Sequence, residues 1–132
     1  VIEITDAHNS ARLAGTQAFI DTGTGVAAIA FYSVPRQTIA DLPSAPAVTA
    51  IPLDNPCGVI DATGLHLAST TDGLNASTGL ILWARLFNRN GDVVADFDVR
   101  EVADPPNMGE IAISNTTVYA GGVTRLVSAT LT

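Results

Sequence analysis

Residues 80–99 read Leu-Ile-Leu-Trp-Ala-Arg-Leu-Phe-Asn-Arg-Asn-Gly-Asp-Val-Val-Ala-Asp-Phe-Asp-Val, and this stretch decides the fold. Asn90-Gly91 is a strong short-range hairpin signal, because both residues tolerate the positive φ that a type I′ turn demands. Beyond the turn, Val93, Ala95, Phe97 and Val99 alternate with Val94, Asp96, Asp98 and Arg100. Such a period of two predicts a strand with one buried and one solvated face.

Working outward, short apolar runs bounded by turn residues recur along the chain. Strands are expected at Val26–Ser33, Ala47–Leu53, Gly58–Asp61, Leu65–Ser69, Ile111–Ser114, Thr117–Tyr119 and Val123–Leu131. Pro52 suits an edge strand, since proline cannot donate to a ladder. Residues 54–56 read as a turn, 62–64 as the bend of a second hairpin, and Gly121-Gly122 as a tight turn. Residues 71–78 and 103–109 read as loops, and 34–46, with Pro35, Pro43 and Pro46, as an irregular connection or an arm over a neighbour. In the last strand Val123, Arg125, Val127, Ala129 and Leu131 should share a face. One helix is predicted, over residues 6–21, capped by Asp6 or Asn9 and weakened at Gly15. Its small apolar face needs a sheet or a second subunit to dock on. The expected fold is mainly β: one domain over residues 1–132, an antiparallel sandwich or jelly roll with a short N-terminal helix.

Composition narrows the functional classes. Charged residues are 14% of the 132, against about 25% in typical soluble domains, so part of the surface is expected to be covered by an interface. All six basic residues are Arg, which suits interfaces better than Lys, although codon usage gives the same pattern. A net charge of −7 argues against nucleic-acid binding and against anionic membranes. No apolar run approaches the roughly 20 residues of a membrane-spanning helix. The start of the chain has no signal-peptide pattern, which reads as use without secretion.

Candidate chemistry is sparse, and the sequence assigns no catalytic, cofactor-binding or metal-binding residue. His8 falls in the first helical turn and His66 in a strand; a catalytic role would need His66, Cys57 and an Asp to converge. Cys57 has no activating neighbour in sequence and is expected to be a packed, inert thiol. Asn88–Asp98 echoes the oxygen spacing of a calcium loop, but the flanks are strands and turn chemistry accounts for the residues. Asn75-Ala76-Ser77 and Asn115-Thr116-Thr117 match the glycosylation acceptor and read as loop and strand residues. Trp83 is expected in the core, or, if it faces outward with Phe87, at a contact surface.

Three segments in order, residues 20–32, 83–99 and 115–132, resemble a family of small structural proteins of tailed bacteriophages and prophages, some of them capsid cement or decoration proteins. The resemblance implies a virion protein, made in the bacterial cytoplasm, that binds the major capsid protein on the outer head surface as a homotrimer. A neck, tail-completion or tail-tip component is a second expectation, and a carbohydrate- or cell-surface-binding β-module a third. Residues 1–21 and 34–46 are the expected intersubunit contacts.

Overall fold

In the computed structural model, which describes residues 2–132, the 80–99 hairpin lies at the centre of a sheet. Helix α1 (Asp6–Ile20) precedes β1 (Ala28–Tyr32), β2 (Thr49–Pro52), β3 (Gly58–Asp61) and β4 (Gly64–Leu67). Two-residue strands β5 (Gly73–Leu74) and β6 (Gly79–Leu80) lead into β7 (Trp83–Phe87) and β8 (Val93–Glu101). Then come β9 (Ile111–Ile113), β10 (Thr117–Val118), β11 (Val123–Thr124) and β12 (Leu126–Leu131). One eight-stranded sheet runs β2-β1-β7-β8-β9-β12-β4-β3, and β10-β6 and β11-β5 form two small ladders. The protein is mainly β, and pairing is antiparallel except at β8–β9, where Val99 to Glu101 lie parallel to Ile111 to Ile113.

The sheet curls so that its two halves share one core, giving a sandwich-like body. Ile29, Phe31, Ile51, Ala84, Leu86 and Phe97 from one half meet Leu65, Leu67, Ile111, Ile113 and Ala129 from the other. Each fully buried Leu or Ile contributes about 2 kcal/mol by removal from water. Helix α1 covers β3 and β4 with Leu13 and Ile20, and the Gln17 amide donates to the Gly58 carbonyl at 2.6 Å. The cap is Thr5, rather than Asp6 or Asn9: its backbone is extended and its hydroxyl accepts the His8 N–H at 3.1 Å. Asp6 instead supplies negative charge to the first turn. The alanines at 7, 11, 14 and 18 face outward.

Three further expectations are corrected. The central turn is not type I′: Gly91 alone has positive φ, at 84°, and Asn90 does not. The loop is wider, with Gly91 N–H donating to Asn88 O (3.0 Å) and Asn88 N–H to Asp92 O (2.9 Å). Its cause is Asn88, 1% exposed, whose side-chain oxygen accepts the N–H groups of both Asn90 and Asp92. Alternation also breaks twice, at β-bulges. Val94 is the extra residue between the pairs Leu86–Ala95 and Phe87–Val93, so Val94 reaches the core and Val93 joins the opposite face. Likewise Val127 is extra in β12, leaving it 46% exposed while Leu126 packs inward.

The third correction concerns the face read as solvated. Trp83, 2% exposed, stacks on Tyr32 with centroids 4.6 Å apart, in a second apolar cluster with Ala30 and partly buried Phe87. Residues 34–46 cross this face as a strap instead of leaving it to water. The Trp83 indole N–H donates to the Val34 carbonyl at 2.8 Å. Beside it, Arg85 and Asp96 form a bidentate ion pair (2.7 and 3.0 Å), each side chain 2% exposed. The free Nη1 of Arg85 donates to the Asp41 carbonyl at 2.8 Å, tying the strap down. At the surface Arg36 of the strap meets Asp98 at 3.1 Å.

Candidate functional site

His66 gathers polar partners, and Cys57 is not among them. From β4 its Nε2 lies 2.9 Å from Asp61 Oδ1 and 2.8 Å from the Thr63 hydroxyl, both across the β3–β4 turn. Its Nδ1 lies 3.0 Å from the Thr130 hydroxyl on β12. The Thr63 hydroxyl and N–H, followed by His66, hold the Asp61 carboxyl well below the usual carboxylate range. In a nucleophile–base–acid relay the base would use its two ring nitrogens for nucleophile and carboxylate separately. Here Nε2 meets the Asp61 carboxylate and Nδ1 the Thr130 hydroxyl, an order that such a relay shares, and the same bonds staple the β3–β4 turn to β12.

Cys57 lies elsewhere. It is fully buried, and its backbone N–H donates to Asp21 Oδ1 at 3.0 Å. Burial, then the nearby Asp21 carboxylate, pushes the thiol up to about 12. A thiol so protonated at neutral pH is a packing group and no nucleophile. His8 is exposed on α1.

The acidic run at 88–98 is committed to internal contacts. Asn88 organises the turn, Asp96 pairs with Arg85 and Asp98 with Arg36. Among the described residues no cluster of three His, Cys, Asp or Glu side chains could hold a metal ion. The two Asn-X-Ser/Thr motifs differ in access: Asn115 is exposed, whereas Asn75 is 4% exposed.

Asn75 instead supports a feature that sequence reading missed. The β5–β11 and β6–β10 ladders place residues 73–80 beside 117–124. Asn75 bridges them: its amide donates to the Tyr119 carbonyl at 3.2 Å and its oxygen accepts the Thr124 hydroxyl at 2.6 Å. Between the ladders lies a groove of about 360 Å³, lined by Asn75, Asn115, Thr117, Tyr119, Gly122 and Val123 with Val118. At Gly122 a Cβ would stand 3.1 Å from the Tyr119 carbonyl oxygen, a tight approach that the Tyr119 backbone would have to relieve by a few tenths of an ångström. The rim is fixed by Glu101, which accepts the Thr116 N–H at 3.1 Å, and by Thr78, which accepts the Ala120 N–H at 3.0 Å. Gly121-Gly122 signals the turn in sequence, but nothing local signals the pairing of Thr117 with Leu80 or of Val123 with Leu74.

Large apolar side chains remain on the outside. Ile2 is 89% exposed before α1, and on the strap Leu42 is 84% and Ile39 53% exposed. No family model matches the chain, and no curated protein or solved structure matches it.

Proposed function

We propose that this chain is a structural assembly protein, a capsid cement or decoration protein of a tailed-phage type that binds the outer head surface as a homotrimer. The observation that carries the reading is the outward display of aliphatic side chains on anchored backbone. Leu42 and Ile39 ride on a strap fixed by buried Arg85. Rigid presentation lowers the ordering cost of association, and apolar groups held in water gain when a partner covers them. The low charge content and the sequence resemblance support the same role.

The test is co-sedimentation of the purified protein with expanded phage heads that lack it, counted as copies per particle. Saturable binding at hundreds of copies is expected. About a dozen copies would move the protein to the neck or tail, and absence of binding would refute the head role. Leu42→Ser, which touches no core contact, should lower occupancy without lowering thermal stability.

A further inference from the structure

The groove between the two small ladders shares no lining residue with the strap or the N-terminal segment, and its chemistry goes beyond an assembly role. No charged side chain lines it. Asn115, Thr117 and the Tyr119 phenol make no side-chain hydrogen bond to the rest of the chain among the described residues, so their polar groups are free for a ligand. Tyr119 is 66% exposed and is the aromatic residue of the lining, whereas Trp83 and Tyr32 are buried under the strap.

We infer that this groove is a binding site for a neutral saccharide, with Tyr119 as the stacking platform and Asn115 and Thr117 as the hydroxyl-reading groups. A sugar ring offers an apolar C–H face and a rim of hydroxyls that both donate and accept. An aromatic ring beside a carboxamide and a hydroxyl matches both surfaces. The uncharged lining offers nothing to compensate a carboxylate or phosphate for lost water, so anionic sugars are disfavoured. The floor is pinned by two main-chain bonds, Asn75 N–H on the Gly122 carbonyl and Gly121 N–H on the Asn75 carbonyl, each at 2.9 Å. A volume of about 360 Å³ is near the lower end of the usual range for small-ligand sites, about 300–1,000 Å³, and admits a terminal ring rather than a long chain. The site is also pre-formed, because Asn75 is held at both ends of its amide and Thr116 is held by Glu101.

The experiment is a ¹⁵N-resolved NMR titration of the intact protein with glucose, galactose, mannose, N-acetylglucosamine, and the disaccharides lactose, maltose and chitobiose. Saturable shifts are expected for at least one of these sugars, centred on the Asn115 side-chain amide and the backbone of Thr117, Tyr119 and Gly122. Tyr119→Ala should weaken that binding by up to about tenfold, the worth of one stacked aromatic contact. Asn115→Ala should weaken it as well, with Trp83 fluorescence unchanged in both variants as the sign of an intact fold. Glucuronic acid and N-acetylneuraminic acid should bind no tighter than the neutral sugars. Absence of saturable shifts with the whole neutral panel, shifts that survive both substitutions undiminished, or a preference for the acidic sugars would each overturn the assignment. Head binding is read separately by sedimentation, so either result stands without the other.

Discussion

Arg85→Ala removes the group that joins the central sheet to its strap, and the cost can be worked from the geometry. Arg85 and Asp96 are each 2% exposed and doubly bonded, so the substitution leaves a carboxylate out of water without its partner. Breaking a buried pair in this way costs about 3–5 kcal/mol. That is a large share of the roughly 5–15 kcal/mol total of an ordinary domain. The Asp41 carbonyl loses its donor too, so the strap should loosen before the rest of the fold. With a urea slope of about 2 kcal/mol/M, the unfolding midpoint followed by Trp83 fluorescence should fall by about 2 M. Trypsin, which cleaves after Arg36 in the strap, should nick the variant faster under native conditions. Arg85→Met with Asp96→Leu removes both charges while keeping apolar volume, and should recover most of the loss. A loss below about 1 kcal/mol for Arg85→Ala, or a double variant no more stable than the single, would refute the view that an ion pair clamps this face.

Other expectations follow from local geometry. Native Cys57 should resist iodoacetamide at pH 8.5 and react fully once urea unfolds the chain, since burial and Asp21 hold the thiol at about 12. Asp61 has its carboxyl depressed by Thr63 and His66, so its contribution is present above the ordinary carboxylate pKa of about 3.9 and is lost as pH falls below it. The stability gap between wild type and Asp61→Asn, measured by thermal melting, should therefore narrow between pH 5 and pH 2. Gly→Ala should have opposite signs at two open positions, neither of which has an atom within 4 Å of the added Cβ. In the helix at Gly15 it should stabilise by about 0.5–1 kcal/mol. At Gly91, with φ of 84°, it should cost about 1–2 kcal/mol in urea melts.

Local signals made much of the sheet legible. The Asn90-Gly91 turn, the 58–67 hairpin and the single N-terminal helix all stand where turn chemistry and periodicity place them. Pro52 does end a strand on the sheet's edge. Alternation failed at Val94 and Val127, because a period of two assumes constant register and one inserted residue reverses every assignment beyond it. Asp96 reads as solvent-facing because it is polar alone, and its satisfaction by Arg85 depends on cross-strand pairing. Asn90 was given a positive φ because the buried amide of Asn88 that widens the loop has no signature in the dipeptide. The groove was invisible for a related reason: its two ladders join Leu74 to Val123 and Leu80 to Thr117.

The strand order also sets a timetable for synthesis. Hairpins β7–β8 and β3–β4 have short connections and can zip within about 1–10 μs of leaving the ribosome. Their union must wait, because β12 sits between β9 and β4 and joins His66 to Thr130. Until that strand emerges, the nascent chain carries two half-sheets with bare facing edges, at β9 and at β4. Insertion of β12, made after both, into the middle closes both edges in one event. Contacts over such sequence separations are formed slowly, on the scale of milliseconds to seconds. A nascent chain stalled before Leu126 would therefore display two sticky β edges, a natural substrate for holding chaperones.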